Sequence, residues 1–207
     1  MLLISDLDGT AIDSEELILA SYEHVINIHR LPCRTRDELK KYTGIALREL
    51  YTSWTTVSQC EELCETHRIF QVKNKHLIKA IPGIPEAFLA LKNRGVRIVI
   101  NTNRSANISE FLELTGLHAH VDQVISYNDV KNPKPDPEGV QKAMLHHNAT
   151  TNQTWMLGDT HIDVLAGKNA GVRTIGAAFI SNNVDFSGNP PDYIAYHPRD
   201  LLEILKS

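Results

Sequence analysis

Asp6-Leu7-Asp8-Gly9-Thr10 sets two carboxylates one residue apart, with a flexible glycine behind them, directly after the apolar run Leu2-Leu3-Ile4. A short apolar run ended by polar residues predicts a buried strand that delivers Asp6 to its carboxyl end. That edge is where open α/β sheets bind their ligands. Thr102-Asn103 and then Ser105 follow a second such run, Val96 to Ile100, and Ser105 resembles a helix N-cap. A hydroxyl beside a helix N-terminus suits an anion. In Lys134-Pro135-Asp136-Pro137 the prolines hold an extended loop from which Lys134 reaches a phosphate as a point charge. Gly158-Asp159-Thr160-His161-Ile162-Asp163 brings two more carboxylates just beyond Thr154-Trp155-Met156-Leu157. Carboxylates from different strand ends, with a backbone carbonyl and waters, are sufficient for Mg²⁺, and Asp6 and Asp159 are the expected metal-binding pair. A carboxylate can also attack phosphorus and split one difficult hydrolysis into two easier steps. Asp6 suits that role.

The elements that must position these groups follow from the same pattern. Strand signals at 2–4, 96–100, 121–126, 154–157 and 172–176 alternate with helical stretches, one running from Pro85 to Lys92 and closing at Gly95. That alternation predicts a parallel sheet with helices on both faces. The region from Asp13 to Ala80 breaks it: Leu17, Ala20, Ile26, Leu39, Leu47 and Leu50 fall at helical spacings and no strand is evident. It reads as a helical insertion, with hinges after Gly9 and at Ile81-Pro82-Gly83. Ser181 to Pro191 reads as a loop, Tyr193 to Tyr196 as an edge strand, and Pro198 as the start of a closing helix.

Composition narrows the functional classes. Over 207 residues, 21 basic and 25 acidic side chains are mixed along the chain for a formal charge of −4, so no cationic stripe exists for nucleic acid. No apolar run approaches the length of a bilayer span, and Met1 to Ile4 carries neither a basic flank nor a cleavage site. Cys33, Cys60 and Cys64 are an odd set without metal-ligand spacing, which predicts reduced, buried thiols and a cytoplasmic location. His118-x-His120 and His146-His147 lack further ligands at suitable spacing, and Trp54 and Trp155 read as core.

In order and spacing, Asp6-Leu7-Asp8-Gly9-Thr10, Thr102, Lys134 and Gly158-Asp159-Thr160-x-x-Asp163 resemble the haloacid dehalogenase superfamily over the whole chain. The stretch Asp163 to Gly171, the Lys-Pro-Asp-Pro segment and the place of the insertion look most like its phosphoglycolate phosphatase-like branch. The resemblance implies an α/β fold, a Rossmann-like parallel core formed by 1–12 and 81–207, with a helical cap over 13–80 inserted after the first strand. It implies that Asp6 attacks phosphorus and that the backbone carbonyl of Asp8 joins Asp6 and Asp159 on Mg²⁺. The Asp8 side chain acts as general acid and then general base, and so is protonated when substrate binds. Thr102 and Lys134, with Asn103 beside them, hold the phosphoryl oxygens, and Asp163 supports the metal shell or orients Lys134. Thr10 is similar to the phosphatases, where the mutases commonly have an apolar residue, and Asp8 is absent from most of the dehalogenases. The expected substrate is a small phosphorylated metabolite such as 2-phosphoglycolate, taken by a monomer or homodimer. The alternatives are a phosphomutase acting on a sugar phosphate and a non-catalytic protein that binds a phosphorylated ligand.

Plainer roles compete at several positions. Asp6 or Asp8 could cap a helix starting near Ser14, Asp159 could cap the helix after Gly158, and Asp163 could be a salt-bridged surface carboxylate. In the insertion, Gly44 could carry a loop over the site and Arg48 could contact an anionic substrate tail. Equally, Lys40, Lys41 and Arg48 could be solvated helix charges and Gly44 a plain turn.

Overall fold

In the computed structural model, which describes residues 1–181, 186 and 188–206, apolar side chains of the central strands sort to two opposite faces. The elements are β1 (Leu2–Ser5), β2 (Ile12–Asp13), α1 (Glu15–Ile28), α2 (Arg36–Lys40), α3 (Leu47–Trp54), α4 (Val57–Lys73) and β3 (Lys79–Ala80). There follow α5 (Ile84–Asn93), β4 (Arg97–Asn101), α6 (Ile108–Leu114), β5 (Gln123–Ile125), α7 (Glu138–His146) and β6 (Thr154–Gly158). The chain closes with α8 (His161–Asn169), β7 (Arg173–Ala177), β8 (Tyr193–Ala195) and α9 (Leu201–Ile204).

Six strands form one parallel sheet in the order β5-β4-β1-β6-β7-β8. Leu3, Ile98, Ile100, Trp155 and Leu157 face Phe88 and Leu91 of α5 and Phe111 of α6. Leu2, Ile4, Val99 and Met156 face Val140 and Ala143 of α7 and Ala166 of α8. The fold is α/β, with helices on both faces. After β1 the chain builds outward first through β4 and β5, then on the other side through β6, β7 and β8. Strand order therefore reverses beside β1, which opens a crevice at the carboxyl ends of β1, β4 and β6.

Helices α1 to α4 have an apolar cluster of their own, in which Tyr22, Val25, Leu39, Leu50, Tyr51 and Leu63 are buried. Trp54 sits edge-on to Tyr22, Tyr42 and Tyr51, with ring centroids 5.8, 5.3 and 5.4 Å away. Thr35 and Glu38 start α2 with a reciprocal capping box. Two-residue strands at the ends of this unit, β2 and β3, pair antiparallel as Ile12↔Ala80 and Asp13↔Lys79. No strand was expected in this region, and two residues are too short for an alternating pattern to show.

Three other expectations change. The helix after β4 starts at Ile108 behind Asn107, which adopts φ 63°, so Ser105 is not its cap. Cys60 and Cys64 are buried, but Cys33 is exposed. The loop expected at 181–191 lies partly outside the described residues, at 182–185 and 187. The edge strand β8 is parallel to β7, and a 3-10 turn at Pro198–Asp200 leads into α9.

Phe88 is fully buried between α5 and the sheet. Phe88→Ala is expected to cost about 3–5 kcal/mol, the usual range for truncating a core aromatic. Chemical denaturation monitored by circular dichroism measures this, and a loss below about 1 kcal/mol would contradict the packing described.

Candidate active site

Glycine lets the loop after β1 close against β6. Gly9 has φ 79°, and a Cβ there would lie 2.3 Å from Oδ2 of Asp159, so no larger side chain fits. Thr10, fully buried, donates from Oγ1 to Oδ1 of Asp159 at 2.8 Å. One residue ahead of Asp159, a Cβ on Gly158 would lie 2.2 Å from Cβ of Asp163. Asp163 therefore packs under the strand end. Its Oδ2 accepts from the main-chain N–H and the hydroxyl of Thr160, at 3.1 and 2.6 Å, which caps α8. Its Oδ1 accepts from Nζ of Lys134 at 2.6 Å, and the same Nζ donates to Oδ1 of Asp6 at 2.6 Å. One carboxylate oxygen from each of Asp6, Asp159 and Asp163 falls within a 4.8 Å group.

Asn103 anchors the lysine loop. Its carbonyl oxygen accepts from the Lys134 N–H at 3.0 Å, and its Nδ2 donates to the carbonyls of Lys134 and Gly44 at 3.0 and 2.9 Å. Asp8 is held separately: Ser14 donates to its Oδ1 at 2.6 Å, while Arg104 donates from Nη2 to Oδ1 at 2.6 Å and from Nε to Oδ2 at 3.0 Å. A cavity of about 70 Å³ is lined by Asp6, Asp8, Thr102, Asn103 and Arg104 from the sheet side. Tyr22, Gly44, His67 and Gln71 line it from the helical unit.

Charge sets the behaviour of this site. Burial, with Asp163 and Asp8 nearby, outweighs Lys134 and raises the Asp6 carboxyl to about 7. Burial, then Asp6 and Asp163, hold Asp159 well above the usual carboxylate range. Burial alone would raise Asp8 too, but the Arg104 guanidinium and the Ser14 hydrogen bond bring it below its ordinary value. Burial opposes the charge of Lys134, yet Asp163 and Asp6 together leave its pKa raised. One ammonium does not neutralise three grouped carboxylates, of which Asp6 and Asp163 are buried and Asp159 half-buried. That excess negative charge, on hard oxygen donors, fits a divalent cation.

The model of the haloacid dehalogenase-like hydrolase family matches residues 3–177. The chain belongs to that family. The hydrolase is similar to pyrophosphatase PpaX of Bacillus velezensis, 35% identical over 98% of this chain and 94% of the relative. PpaX of Anoxybacillus flavithermus is 31% identical over 98% and 95%. Among solved structures, a HAD-superfamily hydrolase of subfamily IA, variant 1, from Geobacter sulfurreducens superposes with a TM-score of 0.77 at 25% identity, covering 99% of this chain and 98% of that one. A predicted phosphoglycolate phosphatase from Haemophilus somnus shares the fold, with a TM-score of 0.88 at 19% identity and 99% and 97% coverage.

The structure of this hydrolase brings Asp6, Asp8, Thr102, Asn103, Lys134, Asp159 and Asp163 to one edge, with Thr10 behind Asp159. Asp163 is buried rather than a surface carboxylate, and Thr160, not Asp159, caps α8. Ser14 precedes α1, but neither Asp6 nor Asp8 caps that helix. The Asn103 carboxamide spends its hydrogen bonds on the backbone of Lys134 and Gly44. Gly44 lies on the cavity wall with φ 83°. Arg48 does not line that cavity; it is 57% exposed and paired with Glu61 at 3.0 Å. Sequence reading passed over Arg104, His67 and Gln71, and named Ser14 only as a helix start. For Arg104 a signal existed, since it stands between Asn103 and Ser105 at a strand end already marked for anions.

Without a cation, ionising Asp6 in the folded chain is opposed by its surroundings. Its stabilising contribution is complete below the unfolded value of about 3.9 and is lost as pH rises through about 7. The melting temperature in chelator should therefore fall between about pH 5 and about pH 8, and the gain on adding Mg²⁺ should grow over that window. Thermal unfolding followed at several pH values measures both; a Mg²⁺ gain independent of pH would show that these carboxylates are not its ligands.

Proposed function

We propose that the chain is a Mg²⁺-dependent phosphatase of small phosphorylated metabolites that works through an aspartyl-phosphate on Asp6. Family membership makes it a hydrolase. The observation carrying the finer reading is the setting of Asp6: a carboxylate at the central strand end, facing a cavity, gripped by Lys134 and grouped with Asp159 and Asp163. Asp6, Asp159 and the backbone carbonyl of Asp8 would hold the cation, which when bound offsets the repulsion between an anionic nucleophile and an anionic phosphate. The Asp6 carboxylate attacks phosphorus as the bond from phosphorus to the leaving oxygen breaks, while the Thr102 hydroxyl and the Lys134 ammonium stabilise charge spread over the phosphoryl oxygens; the leaving oxygen departs with the electron pair and takes a proton from solvent water. Asp163 orients Lys134 through their 2.6 Å ion pair. Asp8 then takes the proton of the water that cleaves the acyl phosphate. Residues 13–80 act as a cap over a core formed by 1–12 and 81–207. Closing it excludes bulk water and opening it releases product.

A specific observation favours a phosphoanhydride as a second substrate reading. Both oxygens of Asp8 accept hydrogen bonds from the Arg104 guanidinium. A carboxyl held in this way offers no proton to an alkoxide, whereas a departing phosphate ion is a good leaving group without one. The relatives named pyrophosphatase agree with that reading.

Phosphate release from p-nitrophenyl phosphate, 2-phosphoglycolate and inorganic pyrophosphate tests the mechanism. Release should require Mg²⁺, stop on chelation, and fall by about a thousandfold or more in folded Asp6→Asn. Undiminished release by that variant sinks the aspartyl-phosphate, and release that requires a sugar acceptor would favour the mutase.

A further inference from the structure

Among the described residues, an unbroken chain of hydrogen bonds runs from the interior of the helical unit to Asp8. Tyr51 Oη lies 2.8 Å from Nδ1 of His67, and Nε2 of His67 lies 2.9 Å from the amide nitrogen of Gln71. Oε1 of Gln71 accepts from Nη1 of Arg104 at 2.5 Å, and Arg104 donates onward to Asp8. An amide nitrogen only donates, so Nε2 of His67 must accept and its Nδ1–H must donate to Tyr51. His67 is then a neutral imidazole; burial, reinforced by Arg104 and Arg68, pushes its pKa down to about 3. With its amide nitrogen on His67, Gln71 presents its carbonyl oxygen to the Arg104 guanidinium.

Arg104 is a buried cation, its side chain 8% exposed, in the wall of the cavity that contains Asp6. Lys134 and Thr102 already answer the charge of a phosphoryl group at Asp6. Arg104 is a second buried cation, and at rest its charge is shared with the Asp8 carboxylate. The bonds to Asp8 and Gln71 leave part of its five-donor fork unused, and that fork matches phosphate or carboxylate oxygens two at a time. An anion entering the cavity competes with Asp8 for the same donors.

We propose that Arg104 is the specificity-determining residue of this site: it grips a second anionic group on the leaving side of a compact substrate, and the Tyr51–His67–Gln71 chain holds it in position. The proposal takes its frame from the phosphatase reading.

Calorimetric titration of the full chain in Mg²⁺ tests it with three unreactive probes: methylenediphosphonate, phosphonoacetate and inorganic phosphate. One of the two-headed probes should bind more tightly than phosphate, and its identity tells a second phosphate from a carboxylate. Arg104→Gln should weaken that probe by about tenfold or more and phosphate by less than about threefold. Arg104→Lys, which keeps the charge without the planar fork, should fall between, and it makes the same comparison if circular dichroism shows Arg104→Gln unfolded. Two-headed probes that bind no tighter than phosphate, or an equal loss for all three, would overturn the assignment. The phosphatase reading fails on a different result, Asp6-independent phosphate release, so the two failures are separable.

Discussion

Buried negative charge at the carboxyl edge of the sheet is the constraint to which the rest of this structure answers. Asp6 and Asp163, both buried, are brought together with the half-buried Asp159, and the Lys134 ammonium bridges the two buried carboxylates. Placing ionised carboxylates in such an environment is costly unless partners compensate. Several otherwise unrelated features serve that compensation. Gly9 and Gly158 let the loops approach closely, Thr10 and Thr160 donate to Asp159 and Asp163, and Asn103 secures the backbone of the loop that carries Lys134. The remaining excess of negative charge, carried on hard oxygen donors, would suit a divalent cation.

Asp8 follows a different logic although it stands two residues from Asp6. Its counter-ion is a guanidinium supplied by the end of β4 and steadied by a helix of the inserted unit. Two neighbouring carboxylates thus have separate electrostatic environments, one raised and one lowered from the ordinary value. Divergence of this kind is how a pair of like groups acquires distinct tasks. The unit formed by α1 to α4 joins this arrangement through polar contacts: Gly44 accepts from Asn103 and Gln71 accepts from Arg104. Its own apolar cluster, built around Trp54, Tyr51 and Leu63, is distinct from the clusters on the two faces of the sheet.

Much of the fold and of the site was legible in the sequence because it depends on local pattern. Runs of apolar residues marked β1, β4, β5, β6 and β7, and the polar residues after three of them identified Asp6, Thr102 and Asp159 as lying at one edge. The helical unit was legible from the period of Leu17, Ile26, Leu39 and Leu50, its boundary strands β2 and β3 were not, since two residues display no period. Ser105 carried the chemical type of a cap, but the backbone turns at Asn107 and starts the helix there.

What the sequence by itself determined is which chemical groups stand at the strand ends, because strand, turn and glycine preferences act over a few residues. Only the tertiary structure decided which partner each group has. Asp8 and Arg104 are 96 positions apart, Lys134 and Asp6 128 apart, and neither spacing has a local signature. Arg48 and Arg104 look equally available to an anion when read along the chain. Folding leaves Arg48 on the surface beside Glu61 and carries Arg104 into the cavity, because the end of β4 faces the crevice while that side of α3 faces water.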